Sequence, residues 1–222
     1  MAKNSVKTLV LLRGGIDSTV LLAKAVADHG SENVAALTLY YGQKTKRERE
    51  MAVKSAAHYG VQHIELDISR IMGFSDCGAL AANPLEPGED KYQGQTEVPF
   101  RNGLMMAVAA SVAQSLGAET VLYAAHADDK AGLVYPDCKE EFFNAMADAI
   151  AKGTGGKVGL ELPFKYMSKK EVMELGKELK APFEMTWSCF VNDDEPCGYC
   201  VGCVSREKAF ESIGETDPLK EK

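Results

Sequence analysis

Short apolar runs alternate with helical patterns over the first third of the chain, and this alternation constrains the fold more than any other feature. Residues 6–12 and 34–40 are rich in aliphatic and β-branched side chains, which is typical of strands buried in a parallel sheet. The periodicity predicts helices at residues 18–29 and 45–59, each followed by a glycine that can end a helix. A third strand is predicted at residues 61–67. This order predicts an α/β fold with a Rossmann-like, doubly wound parallel sheet.

The rest of the chain adds elements of the same two kinds, after a long irregular segment at residues 68–100. A loop of that length inside a compact domain is usually functional or mobile. Ser168 and Glu171 have the spacing of a capping box and predict a helix start. The tail from residue 214 onward is predicted to be frayed. The further predicted elements are helices at residues 102–116, 139–152, 168–179 and 205–212, and strands at residues 120–125 and 158–163.

The composition is that of an ordinary globular chain. Of its 222 residues, 45% are hydrophobic and 26% are charged, which excludes a disordered or collagen-like chain. A net charge of -7 argues against broad contact with nucleic acid, so no stable nucleic-acid partner is expected. No apolar run reaches the ~18 residues of a membrane span, and residues 1–5 lack a signal-peptide pattern. We therefore expect a cytoplasmic protein without a membrane partner.

The turn between the first strand and the first helix has the features of a phosphate-binding loop. Gly14 and Gly15 permit positive φ and let a ligand approach the main chain closely. The N–H groups at a helix N-terminus attract an anion, and Ser18 and Thr19 add hydroxyl donors. The spacing matches neither a Walker P-loop nor the Gly-x-Gly-x-x-Gly dinucleotide motif. The alternative is a tight strand-to-helix turn that uses two glycines for its shape alone.

Four of the six cysteines fall close together near the C-terminus. Thiolates at this spacing can converge on one Zn²⁺ in a closed, tetrahedral structural site. An iron–sulfur cluster and redox-active pairs are the alternatives. Cys77 and Cys138 are isolated and are expected to be core or loop thiols. The pattern suggests a nucleotide-binding α/β domain at residues 1–186 and a zinc-binding segment at residues 187–222. The four clustered residues are Cys189, Cys197, Cys200 and Cys203.

Several segments, in the same order along residues 5–212, resemble the QueC family of 7-cyano-7-deazaguanine synthases. The loop at residues 13–18 is similar to the Ser-Gly-Gly-x-Asp-Ser loop of the N-type ATP pyrophosphatases, except that Arg13 stands where Ser is usual. This arginine either adds phosphate contacts, obstructs the pocket or traps a state. The fold that the resemblance implies is adenine nucleotide alpha hydrolase-like. The other matching segments are residues 41–43, 98–102, 126–128, 135–142, 162–164 and 186–189 with the cysteines that follow.

The resemblance implies an ATP-dependent ligase that forms C–N bonds. Such enzymes convert 7-carboxy-7-deazaguanine and ammonia to 7-cyano-7-deazaguanine, a precursor of queuosine and archaeosine, through an adenylated intermediate and an amide. The implied cofactors are ATP, Mg²⁺ for catalysis and structural Zn²⁺, and the implied assembly is a homodimer.

The resemblance also implies roles for individual residues. Asp17 would be the partner of Mg²⁺ and pyrophosphate. The residues implied to hold ATP are Leu12, Arg13, Gly14, Gly15, Ile16, Asp17, Ser18 and Thr19. Those implied to be catalytic are Asp17, Ser18, Arg101 and Asp128. Those implied to bind the substrate are Tyr41, Gln43, Arg101, His126, Tyr135, Asp137 and Lys165, the last through phosphate.

Each of these roles has a structural alternative. Arg101 could form a surface salt bridge, and Asp137 could cap the helix predicted at residues 139–152. Tyr41 could serve packing, and His126 could be a satisfied loop histidine.

Two other functions compete with the ligase. A related enzyme on the same scaffold could couple the activated deazapurine to another amine, in a protein or a nucleic acid, which Arg13 and Val134 would motivate. A nucleotide-binding protein with activity impaired by Arg13 is the second. Thiolation of tRNA is disfavoured because it would need a catalytic cysteine pair outside the metal site, and Cys77 and Cys138 do not form an obvious one.

Overall fold

The structure is a computed structural model that describes residues 6–72, 74–75, 98–130 and 135–220. Cys77, Val134 and most of the irregular segment at residues 68–100 lie outside the described residues. Among the helices that it describes, none is long and apolar enough to cross a membrane.

Within the described residues, five parallel strands form one sheet in the order β3-β2-β1-β4-β5. The register places Thr8 of β1 beside Val34 of β2 and Thr120 of β4. The strand order therefore reverses between β1 and β4, and the carboxyl ends of these strands flank the crevice in which doubly wound folds bind ligands. The predicted α/β fold with a parallel sheet is confirmed. The strands are β1 (Thr8–Leu11), β2 (Val34–Tyr40), β3 (Gln62–Asp67), β4 (Thr120–Leu122) and β5 (Gly159–Glu161).

Helices cover both faces of the sheet, as the alternation of side chains along β1 requires. Leu9 and Leu11 pack into one core cluster with α4 (Arg101–Leu116) and α5 (Glu140–Gly153). Val10 and Leu12 pack into a second cluster on the opposite face. That face carries α1 (Ile16–His29), α2 (Arg47–Tyr59), α6 (Lys169–Glu178) and α7 (Val201–Ser212), and a short α3 (Ser69–Met72) follows β3.

The predicted boundaries agree with these elements except at a few ends. The capping box is confirmed, because Ser168 Oγ accepts the N–H of Glu171 and the Glu171 carboxylate accepts the N–H of Ser168 at 2.7 Å. Helix α7 begins at Val201, four residues before the predicted start. Cys200 is the residue that precedes the helix as its N-cap, and Cys203 lies in the first turn. Strand β4 ends at Leu122, three residues before the predicted end.

The prediction of a frayed tail is wrong for residues 214–220. Asp217 is buried and accepts two hydrogen bonds from Arg206, from Nε at 2.7 Å and from Nη2 at 2.9 Å. Arg206 also donates from Nη1 to Thr186 Oγ1 at 2.7 Å. This bidentate buried pair fixes the tail to α7 and to the chain that leads into the cysteine cluster.

Candidate functional site

The loop at residues 13–19, called the phosphate loop below, leaves the carboxyl end of β1 and opens α1. Gly14 has φ of 93°, and a Cβ atom built there would lie 1.9 Å from the carbonyl oxygen of Glu48. The close packing of α2 therefore requires glycine at this position. Gly15 has φ of -83°, which any residue can adopt. The expectation of positive φ at both glycines holds only for Gly14.

The Ser18 hydroxyl is engaged within the loop, whereas the Thr19 hydroxyl is buried without a hydrogen-bond partner among the described residues. Ser18 Oγ accepts the N–H groups of Arg13 at 3.1 Å and Gly14 at 3.3 Å, and it donates to the carbonyl of Gly15 at 3.1 Å. This hydroxyl thus holds the loop in shape. Thr19 is fully buried. Its N–H makes the first intrahelical bond, to Gly15 at 3.1 Å, so the N–H groups that precede it in α1 remain available for an anion.

The side chains of Leu12 and Ile16 lie in the core cluster on the α1 face, with 0% and 3% exposure. Any contact that these two residues make with a ligand is therefore a main-chain contact. The groups that the loop can offer to an anion are therefore main-chain N–H groups, held in place by buried side chains.

Asp17 lies at the centre of a charged cluster that three parts of the chain supply. Its Oδ1 accepts from Lys169 Nζ, and its Oδ2 is 3.8 Å from His126 Nε2. Burial acts to raise the pKa of Asp17. The charges of Lys169 and His126 act in the opposite direction and outweigh burial, so the pKa lies below its ordinary value. Asp128 accepts the N–H of Lys169 at 2.7 Å. Lys169 thus links Asp17 to Asp128, and His126 lies beside Asp17.

Lys169 was not singled out from the sequence, although it pairs with Asp17. It is the first residue of α6, and a lysine there is disfavoured by the helix dipole, which stabilises cations at the opposite end. A positive charge at the unfavourable end of a predicted helix was the sequence signal that could have indicated a functional role for Lys169.

A second group of charged side chains near the loop consists of Arg13, Glu48 and Arg101. Arg13 Nη2 is 3.6 Å from Glu48 Oε1, and the Arg101 guanidinium is 5.6 Å from the centre of the Tyr41 ring. Burial lowers the pKa of Arg13, but Glu48 and other nearby groups raise it above the ordinary value, so this arginine stays charged. Burial raises the pKa of Glu48, an effect that Arg13 and Arg101 oppose.

Glu48 was also missed from the sequence. It belongs to a strongly charged stretch, but it lies three and four residues before the buried Met51 and Ala52. That spacing puts its side chain on the inward face of α2 and was the signal that could have found it.

Asp137 caps a different helix from the one considered in the sequence. Its Oδ2 accepts the N–H of Asn102 at 3.0 Å, in the first turn of α4, and its carbonyl accepts from Asn102 Nδ2 at 3.1 Å. Asn102 Oδ1 in turn accepts from the hydroxyl of Tyr123 at 2.8 Å. This network fixes the turn at residues 135–138 against α4 and the end of β4, and the interpretation of Asp137 as a cap of α5 is wrong.

Three further candidate residues have their own local contacts. Gln43 Oε1 accepts the N–H of Tyr41 at 3.0 Å, which closes the turn after β2. The carbonyl of Tyr135 accepts the N–H of Cys138 at 3.2 Å. Lys165 contacts Glu140 at 2.8 Å and Asn144 Oδ1 at 3.0 Å, and the hydrogen bond to Glu140 raises the pKa of this lysine. Lys165 therefore pairs with two residues of α5, and neither of them belongs to the Asp17 cluster.

The four clustered cysteines converge on one point. Their Sγ atoms all lie within 4.8 Å of one another, and three of the four residues are buried. Four thiolates at ~2.3 Å from one Zn²⁺ stand roughly 3.8 Å apart, so this donor set fits a tetrahedral metal ion such as zinc. The N–H groups of Val191 and Asn192 donate to Cys189 Sγ at 3.4 and 3.3 Å, which stabilises a thiolate.

The cysteine cluster docks directly on the phosphate loop and on α2. The N–H of Trp187 donates to the carbonyl of Gly14 at 2.9 Å. Asp193 Oδ1 accepts the N–H groups of Lys46 at 2.7 Å and Arg47 at 3.0 Å, where α2 begins. A Cβ atom at Gly202 would lie 1.9 Å from the carbonyl oxygen of Ser188, so only glycine fits there. The division at residue 186 remains a proposal based on the cysteine pattern.

Comparison with known proteins decides the family. The family model of the queuosine biosynthesis protein QueC matches residues 7–214. This chain belongs to the QueC family. The 7-cyano-7-deazaguanine synthase of Koribacter versatilis is 40% identical over 222 residues, covering 96% of this chain and 92% of that protein. The synthase of Archaeoglobus fulgidus is 39% identical over 217 residues, covering 96% and 89%. QueC relatives with these names do not favour the alternative of coupling to a macromolecular amine.

Solved structures share the fold of this QueC family member. An NMN synthetase from Francisella tularensis superposes with a TM-score of 0.55 at 18% identity, covering 96% of this chain and 79% of that one. The U34-tRNA thiolase NcsA from Methanococcus maripaludis gives a TM-score of 0.56 at 16% identity, covering 95% and 66%. At these identities the likeness concerns the fold alone.

Proposed function

We propose that this chain converts 7-carboxy-7-deazaguanine, ammonia and ATP to 7-cyano-7-deazaguanine. The observation that carries the proposal is the QueC family match over residues 7–214, together with relatives of that name at up to 40% identity along almost the whole chain. The sheet supports it, since the phosphate loop lies where doubly wound folds bind nucleotides.

The chemistry explains why ATP is needed. A carboxylate resists nucleophiles because its leaving group would be oxide. Attack of a carboxylate oxygen on the α-phosphorus releases pyrophosphate and forms an acyl-adenylate, from which ammonia displaces AMP to give the amide. Attack of the amide oxygen on a second ATP releases pyrophosphate again, and loss of AMP and of both N–H protons leaves the nitrile. The balanced reaction uses two ATP for each nitrile.

The polyphosphate is proposed to bind at the phosphate loop. The N–H groups that open α1 would donate to it, and Arg13 and Lys169 would offset its charge. Lys169 would then exchange Asp17 for phosphate oxygens as partners, and His126 would remain the neighbour of Asp17. The ionised Asp17 and the exposed Asp128 are hard oxygen donors that fit Mg²⁺, an ion that neutralises polyphosphate charge when it is bound.

The deazapurine acid is proposed to bind beside the triphosphate, near the ends of β2 and β4. Tyr41, Gln43 and Tyr135 would border it, with Asp137 as the acceptor for the guanine-like edge. The carboxyl group would then face Arg101. Lys165 is proposed to hold the turn before α6, because its partners lie on α5. The cysteine cluster is proposed to hold structural zinc.

Mass spectrometry of a reaction with the acid, ATP and ammonium tests the proposal. We expect the amide to appear first, the nitrile to follow and two AMP to accumulate for each nitrile. Asp17→Asn should abolish both products, whereas Asp148→Asn, an exposed residue of α5, should not change them. Turnover of ATP without nitrile would contradict the proposal. We also propose a cytoplasmic location and a homodimer. The homodimer rests on the family resemblance, and light scattering of the purified chain tests it.

A further inference from the structure

One carboxylate and two guanidinium groups lie near the phosphate loop: Arg13 Nη2 is 3.6 Å from Glu48 Oε1, and Arg101 is near enough for its charge to oppose the rise that burial causes in the pKa of Glu48. The proposed function gives the two arginines separate ligands and gives Glu48 no role. Glu48 comes from α2, Arg13 from the end of β1 and Arg101 from the start of α4. The Glu48 side chain is 12% exposed and that of Arg13 is 32% exposed. Since two cations share one anion, the triad keeps a net positive charge that favours an added anion.

The two arginines retain unused hydrogen-bonding capacity. Within the described part of the chain, the buried Nε atoms of Arg13 and Arg101 have no hydrogen-bond acceptor. An unpaired buried donor is costly, about 1–3 kcal/mol. The guanidinium group is a planar fork that matches two oxygens of a carboxylate or phosphate. A ligand oxyanion at this point would therefore satisfy donors that the protein leaves unsatisfied.

Glu48 is held rigidly relative to the loop. Its carbonyl oxygen packs so closely on Gly14 that a Cβ atom there would approach to 1.9 Å, and its Oε1 is 3.7 Å from a Cβ atom built on Gly15. Asp193 fixes the start of the same helix through the N–H groups of Lys46 and Arg47. A carboxylate on such a fixed backbone limits the positions that a long, flexible arginine side chain can take.

We propose that Arg13 and Arg101 bind an oxyanion of the reaction, and that Glu48 is the positioning residue that holds both guanidinium groups for it. This rests on the proposed function, because the oxyanion is a phosphate group of ATP or the carboxylate of the deazapurine acid. Arg13 then replaces the usual Ser of the loop as a ligand and does not obstruct it. The two arginines together are called the clamp below, and Glu48 is the carboxylate that positions them.

The substitution Glu48→Gln separates positioning from simple electrostatics, because the two predict opposite signs. Removing a negative charge beside an anion site strengthens anion binding if charge alone matters. If Glu48 orders the two arginines, its removal weakens binding, because the arginine side chains become more mobile and must then lose that freedom when the ligand binds. We expect a loss of about tenfold or more in affinity for one of the two oxyanions.

Calorimetry with inorganic pyrophosphate and, separately, with 7-carboxy-7-deazaguanine identifies the oxyanion. Weaker binding of pyrophosphate to Glu48→Gln assigns the clamp to phosphate, and weaker binding of the acid assigns it to carboxylate. Binding of both that is unchanged or tighter overturns the proposal. A parent protein that binds these ligands but forms no nitrile would instead contradict the proposed function, so the two failures are distinguishable.

Two controls guard against a merely structural effect. Glu50→Gln changes the same helix at a carboxylate with 53% side-chain exposure, and it should leave both affinities unchanged. Glu48→Asp keeps the charge and should recover part of the lost affinity. Labelling with phenylglyoxal, read by peptide mass spectrometry, should find Arg13 and Arg101 more reactive in Glu48→Gln than in the parent. Unchanged reactivity at both arginines would overturn the positioning role even if affinity fell.

Discussion

Replacing Lys169 by methionine tests the residue that the structure adds to the site. The side chain of Lys169 is 23% exposed, and its Nζ donates to Asp17, which is 29% exposed. A hydrogen bond to a charged group in such surroundings contributes about 1.5–3 kcal/mol, and a lysine that transfers to phosphate oxygens would contribute a similar amount in the transition state. We therefore expect kcat/KM for ATP to fall roughly 10-fold to 150-fold in Lys169→Met.

The same change should move the pH dependence. Lys169 and His126 hold the pKa of Asp17 below its ordinary value against the effect of burial. Without Lys169 the burial effect is less opposed, so the pKa of Asp17 rises and the acid limb of the kcat/KM profile moves to higher pH. The lowered pKa of Asp17 also makes the free energy of unfolding depend on pH. A carboxyl group with a lowered folded-state pKa stabilises the fold above its unfolded pKa, and that contribution is lost as the pH falls through the folded-state value.

Steady-state kinetics across pH, with two comparison variants, provides the assay. Lys170→Met removes the neighbouring lysine of α6, which is 57% exposed and pairs with Glu174, and it should change neither value. Lys169→Arg retains the charge and should recover much of the activity. If Lys169→Met and Lys170→Met have the same kcat/KM and the same acid limb, the assignment of Lys169 to the phosphate site is wrong.

Three further predictions concern the elements that support the site. Removal of metal from the cysteine cluster, by chelation or by Cys200→Ser, should weaken ATP binding measured by calorimetry, because Trp187 joins the cluster to Gly14; unchanged affinity would count against this coupling. Asp217→Ala should lower the free energy of unfolding by about 3–5 kcal/mol in urea titrations, since it leaves buried Arg206 unpaired; a loss below 1 kcal/mol would contradict that reading. Gly14→Ala should impair folding and ATP binding far more than Gly15→Ala, and equal effects of the two would refute the packing argument.

The sequence was sufficient for the sheet and for the position of the phosphate loop. Apolar runs such as residues 34–40 are continuous enough to specify buried parallel strands, and the glycine pair after β1 marks the turn at the switch point. The cysteine spacing was also sufficient to predict that the four thiols converge, since residues so near one another in the chain are brought together locally. These predictions depend on short-range periodicity and spacing, which a single sequence displays directly.

The rest depended on contacts between residues that are distant in the chain. Asp17 and Lys169 are separated by 152 positions, and Asp137 caps α4 from 35 positions away, so neither pairing leaves a local pattern. The tail at Asp217 reads as polar and charged, and only the packing against Arg206 makes it ordered. Glu48 shows the intermediate case, in which helical periodicity indicates burial but the identity of its partner comes from the fold.

Isotope tracing tests the central claim, which is that the phosphate loop presents ATP so that the acid is activated at the α-phosphorus. The chain would be supplied with 7-carboxy-7-deazaguanine labelled with a heavy oxygen isotope in its carboxyl group, and AMP, pyrophosphate and inorganic phosphate would be analysed by mass spectrometry. The account predicts that one labelled oxygen appears in every AMP released and none in pyrophosphate. Label in inorganic phosphate with formation of ADP, or unlabelled AMP, would contradict it.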